Sequence, residues 1–275
     1  MQSESAWLGR LRQPVRLAAI GFTALTVVLW AWLILGQFTT EMPVDMMQML
    51  RPDPANTTAV AAMYVALCGA LLFGSLYLSD TVGAIEAEPH GFFDILSLVT
   101  SRLAMMGVIF TVLVMFYEVV ARYFFEAPTL WANELSLWIA SFVFLFAGLY
   151  AMQQRSHIRI YIIYDIMPRW AQKSADVFST VLICLFSFAI IWGGFNEAWS
   201  KMLRFETFGT AWDPPLPATL KPAILVIIAL VAIQAVSNLI ADWHKAPEHH
   251  SPADEIDEEE IEAIRRSVQG GKSDG

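Results

Sequence analysis

The chain has 275 residues, 56% of them hydrophobic and only 16% charged, with a mean hydropathy of +0.52. Its apolar residues come in runs of about twenty, the length that crosses a bilayer as a helix, which excludes the ordinary soluble globular class and implies an all-α integral membrane protein. The net charge of −9 is concentrated in the acids of residues 246–275, so it describes a tail and gives no reason to expect a nucleic-acid partner.

Arg10, Arg12 and Arg16 precede an apolar stretch over 17–38. That stretch is longer than the core of a signal peptide and has no small-residue cleavage site, which predicts a retained first span. Residues 41–56 form a polar loop in which Pro43, Pro52 and Pro54 stop helix propagation. A second span follows over 57–78, where Ala62, Ala66, Ala70 and Gly74 recur every four residues. Such a strip lets another helix approach closely, although alanine is also simply common in spans. Residues 80–100 read as a linker carrying Glu86, Glu88, Pro89, His90 and Asp94, with Phe92 and Phe93 resting on the membrane surface.

The third and fourth spans, 102–125 and 130–152, make a hairpin. Between Ser156 and Pro168, Ile158, Ile162 and Ile166 repeat every four residues beside Arg155 and Arg159, the pattern of a helix lying in the interface. The alternation of Ile158, Ile160 and Ile162 also suits a strand, but a lone strand there leaves its edges unpaired. The fifth and sixth spans cover 174–194 and 221–243. The loop between them contains Trp199, Phe205, Phe208 and Trp212, as belt anchors or as a docking surface. Cys68 and Cys184 lie in different apolar runs and read as small apolar fillers. Beyond residue 245, Ser251, Pro252 and Asp254 suggest a capped start, and Arg265 and Arg266 a basic end, of a short helix that is marginal in isolation. With six spans, lysine and arginine are in excess on the side of both termini, which places those termini in the cytoplasm.

The hairpin holds most of the ionisable groups within apolar runs. Glu118 and Arg122 stand one turn apart on one face, and after Glu126, Ala127 and Pro128 the next helix opens with Trp131 and Glu134. Arg155, His157 and Arg159 follow its exit. Charges in spans are costly and each needs a partner or water. On one reading these residues anchor and pack the hairpin: Glu118 and Arg122 neutralise each other, Glu134 meets the helix dipole, and Trp131 sits in the aromatic belt. On the other they line a path for substrate or ions. Their position near span ends, rather than at the midplane, favours the first.

The order Arg122-Tyr123-x-Phe125, Trp131-x-x-Glu134-Leu135, Trp138, Gly148, Arg155, His157-Ile158-Arg159 and Pro168 resembles the small membrane (DctQ-type) subunit of tripartite ATP-independent periplasmic (TRAP) transporters. The likeness extends more loosely over 102–243. Asn133, Leu137, Ser156 and Tyr161 depart from residues common in that family. The resemblance implies a four-helix core over 102–245, preceded by a two-helix extension over 1–101 and followed by an acidic cytoplasmic tail over 246–275. It also implies a bacterial inner-membrane protein that partners a large TRAP membrane subunit and a periplasmic solute-binding protein in the uptake of an organic acid-type solute. Sodium coupling then belongs to the large subunit, and this chain needs no cofactor.

Nothing in the residues suggests an enzyme. There is no nucleotide-binding glycine loop, no nucleophile elbow and no pair of histidines on a span, the last of which excludes a haem-bearing anchor. Glu118, Arg122, Trp131, Glu134, Arg155, His157 and Arg159 are therefore candidates for structure and interface. The alternative function is a membrane anchor or assembly protein with no transport role.

Overall fold

The computed structural model describes residues 5–38, 46–52, 54–81, 86, 89, 91–155, 164 and 167–244. A bilayer offers no water to bond exposed backbone, so an apolar run closes its hydrogen bonds within itself. Six helices are long and apolar enough to cross a membrane: α1 (Arg12–Phe38), α3 (Thr57–Ser79), α4 (Phe92–Phe124), α5 (Ala132–Gln153), α6 (Arg169–Leu203) and α7 (Leu216–Asp242). A short α2 (Met46–Leu50) precedes α3, and a single 3-10 turn, Gly9–Leu11, leads into α1. Among the described residues there is no strand. The all-α membrane architecture read from composition is thus the one observed.

Consecutive helices pair as three antiparallel hairpins, α1 with α3, α4 with α5, and α6 with α7. Contacts of α3 with α4 and of α5 with α7 join them, so the packing order is α1, α3, α4, α5, α7, α6. Helices α1 and α6 stand at its two ends. Both described ends of the chain lie on one side of the bundle, the terminal side below, and the α4–α5 and α6–α7 turns lie on the opposite side.

Close approach within the hairpins depends on missing side chains. A Cβ at Gly69 of α3 would run into the Phe22 ring of α1, which is stacked on Phe73 at 5.5 Å. A Cβ at Gly107 of α4 would stand 3.0 Å from Val143 of α5. The expected small-residue strip holds in part: Ala66 is fully buried and a Cβ at Gly74 would stand 3.2 Å from Met106 of α4, whereas Ala62 is exposed, and Val60, Met63 and Gly69 complete the packing face. The reason is that α3 meets α1 on one side and α4 on another, so no single i, i+4 row serves both neighbours.

Several helix ends also differ from the spans read in the sequence. Helix α4 begins at Phe92, inside the expected linker, because its polar residues are bonded rather than solvated. Thr100 donates to the Leu96 carbonyl at 3.1 Å, Ser101 to Leu98 at 2.8 Å, and Ser97 crosses to Leu149 of α5 at 3.2 Å. Helix α6 runs through Trp199 to Leu203, and α7 starts at Leu216 and carries Pro222 within its opening turns. At 33 and 35 residues, α4 and α6 are about 50 Å long, well beyond the roughly 30 Å apolar slab.

Asp80, expected in the linker, is instead a fully buried clasp. Its carboxylate accepts the Ser5 hydroxyl at 2.9 Å and the N–H groups of Trp7 and Leu8 at 2.9 and 2.8 Å, and it pairs with Arg12 at 3.3 Å. It fastens the start of α1 to the end of α3. The expected surface helix over 156–168, apart from Tyr164, Met167 and Pro168, and the acidic tail over 246–275 lie outside the described residues.

Candidate functional site

The turn between α4 and α5 folds back on the helix before it. Glu126 takes a left-handed backbone (φ 52°) and the Ala127 N–H reaches the Ala121 carbonyl at 3.0 Å. That return places Thr129 above Glu118, which is 2% exposed. One carboxylate oxygen of Glu118 accepts the Arg122 Nε–H at 3.0 Å and also its Nη2. The other accepts the Thr129 N–H at 3.0 Å and the Thr129 hydroxyl. A buried charge is tolerable when its lone pairs are filled in this way. Arg122, with a side chain 45% exposed, supplies less than its charge suggests, because water screens it. Trp131 closes the turn by stacking on Tyr117, ring centroids 5.7 Å apart.

Glu134 does not join this cluster. It accepts the Thr210 hydroxyl at 2.7 Å, from the loop between α6 and α7. That loop is shaped by Gly209 (φ 80°) and Asp213 (φ 58°): the Asp213 carboxylate accepts the Gly209 N–H at 2.7 Å and pairs with Arg51 at 2.7 Å. Asp213 is held below the usual aspartate range by that N–H bond first, then by the Thr207 hydroxyl and Arg51. Lys201, and less strongly Arg204, likewise holds Glu206 low. Trp212, read in the sequence among the exposed aromatics, is buried edge-on against Trp138 at 6.4 Å, and the Trp138 indole donates to Thr219 at 2.9 Å. Phe205 and Phe208 remain exposed.

Arg155 is at the far end of α5, on the terminal side, where it pairs with Asp242 of α7 at 2.5 Å. A polar layer surrounds that pair. The Gln234 amide donates to Asp94 at 2.6 Å and to Asn238 at 3.0 Å, and Asn238 donates to the Met152 carbonyl at 2.7 Å. Nearby, Arg102 pairs with Glu86 at 2.6 Å and donates to the Thr81 carbonyl at 3.2 Å, while the Tyr150 hydroxyl donates to the second Glu86 oxygen at 2.6 Å. In the sequence Glu86 and Asp94 read as linker residues, and Tyr150, Gln234 and Asn238 are not singled out. Gln234 and Asn238, one turn apart inside an apolar run, were the available signal. His157 and Arg159 lie outside the described residues.

Structure thus brings Glu118, Arg122 and Trp131 together, puts Glu134 beside them with a different partner, and sends Arg155 to the opposite end of the bundle. The arrangement latches helix ends on both sides of the membrane. Among the described residues, no three His, Cys, Asp or Glu side chains converge as a metal site would need.

The family described as "Tripartite ATP-independent periplasmic transporters, DctQ component" matches residues 111–245. This chain is a TRAP transporter small membrane subunit. The matched stretch starts within α4 and runs just past α7, so the α4–α5 and α6–α7 hairpins are the family's part of the small subunit. Helices α1 and α3 precede it. Among curated proteins and solved structures, none matches the chain. In the small subunit the Glu118–Arg122–Thr129 latch, the Arg155–Asp242 pair and the Gln234 layer all lie inside the matched stretch except for Asp94.

Proposed function

We propose that this small subunit is the static scaffold of a sodium-coupled importer of an organic acid-type solute. A large TRAP membrane subunit carries solute and sodium, a periplasmic solute-binding protein delivers the solute, and the chain sits in a bacterial inner membrane with both termini cytoplasmic. The observation that carries this reading is the state of Glu118: the most deeply buried carboxylate of the hairpin spends its oxygens on Arg122 and Thr129, and keeps none for a passing cation. The latches at the two helix ends support it as well, since coupling sites in secondary transporters lie near the midplane on interrupted helices. The excess of lysine and arginine on the terminal side supports the orientation.

The test is reconstitution. The large subunit, with and without this chain, is placed in vesicles with the binding protein, and sodium-driven uptake of candidate organic acids is followed. Uptake that needs both membrane subunits, with the small one protected from labelling changes through the cycle, is the expected result. Undiminished uptake without this chain, or purification from native membranes with no large membrane partner, would replace the scaffold by a membrane anchor or assembly protein.

A further inference from the structure

Lys173, one turn into α6, is a membrane-boundary cation that no carboxylate claims among the described residues. Its ammonium stands 4.8 Å from the centre of the Trp243 ring, just past the end of α7. Together they head a groove of about 360 Å³ that continues along α6 over Ser174, Val177, Phe178 and Val181. Val177 and Val181 lie one and two turns deeper than Lys173, so the groove turns apolar as it enters the membrane while the charge stays at the rim. Phe178 is 63% exposed and Val181 47%, so no described element of the chain covers the floor. The rim lies on the terminal side, where Arg12, Arg102, Arg155 and Arg169 also sit and where the lysine and arginine excess points to the anionic leaflet.

We propose that this groove binds an anionic phospholipid, with its phosphate on the Lys173 ammonium and one acyl chain along Val177, Phe178 and Val181. Charge and shape select that occupant. A bare helix of a partner laid over the groove would trap Lys173 without a counter-charge, which is costly in a poor solvent. A free phosphate would satisfy the ammonium and leave the apolar floor uncovered. A lipid supplies both parts, and the Trp243 ring, apolar with a polar N–H, suits the headgroup level.

The full chain, alone and with its large membrane subunit, is equilibrated in nanodiscs of equal phosphatidylglycerol and phosphatidylcholine and then purified in mild detergent. The retained lipid is counted by mass spectrometry. Phosphatidylglycerol should be retained severalfold over phosphatidylcholine. Lys173→Gln should abolish that preference, Lys173→Arg should keep it, and Val181→Trp, which plugs the groove but spares the cation, should lower total retention with unchanged yield of folded protein. Glycerol phosphate added to the detergent should not displace the lipid. Equal retention of both lipids, preference that survives Lys173→Gln, displacement by glycerol phosphate, or loss of lipid when the large subunit binds would each overturn the proposal.

Discussion

Removing Glu86 should be among the most damaging single changes outside the matched stretch. Glu86 and Arg102 have side chains only 14% and 11% exposed, and Glu86 also accepts the Tyr150 hydroxyl. Glu86→Ala leaves Arg102 with the Thr81 carbonyl and the Met105 sulfur, neither of which neutralises a guanidinium. Breaking a buried pair by removing one partner costs about 3–5 kcal/mol, and the orphaned Tyr150 hydroxyl lies within that figure because the three groups act as one cluster. For a chain of this size each kcal/mol moves the midpoint by about 2–4 °C, so Tm should fall by roughly 6–20 °C. The assay is thermal unfolding of the detergent-purified full chain, followed by tryptophan fluorescence. Glu86→Ala combined with Arg102→Met removes both charges and keeps the volume of the long side chain, so it should recover most of the loss. A single variant within about 1 °C of wild type, or a double variant worse than the single, would refute the argument that Arg102 is stabilised by a buried pair.

At the hairpin mouth, Arg122→Ala should cost about 1–2 kcal/mol, less than a fully buried pair, because the arginine is half in solvent and Thr129 still holds Glu118. Adding Glu118→Gln should restore much of the yield of complex with the large subunit, whereas adding Glu134→Ala should not. Equal rescue by both would show that the pairing is not confined to Glu118, and a fully assembled Arg122→Ala complex with a changed KM would favour a transport path instead. Gly69→Leu should separate α1 from α3, since its side chain lands on the stacked Phe22 ring; a crosslink between cysteines placed on the two helices should lose efficiency, and unchanged crosslinking would contradict the packing. The loop between α6 and α7 should respond to acid only. Asp213 and Glu206 are depressed from ordinary values of 3.8 and 4.5, so their stabilisation is complete above those values and is lost as pH falls through the lower folded-state ones. Hydrogen-exchange protection at Gly209 should be flat from about pH 8 to pH 5 and fall below pH 4; loosening between pH 7 and 5 would count against it.

The six spans were legible in the residues because a membrane makes helix formation a local matter: every backbone group must bond within its own segment, so composition and length settle the element. Even the Glu118–Arg122 pair was legible, since i and i+4 share a face whatever surrounds them. Local polarity misled at the start of α4, where Ser97, Thr100 and Ser101 look like linker until their hydroxyls are seen bonded to carbonyls. The remaining partnerships join residues far apart in the chain: Glu134 with Thr210, Arg155 with Asp242, Gln234 with Asp94, and the N-terminal turn with Asp80. No period or spacing encodes them. They exist because α7 packs against α5 and α4, and because α3 ends where the chain begins α1, and that order of contacts is set by side-chain fit across helix faces rather than by any one helix.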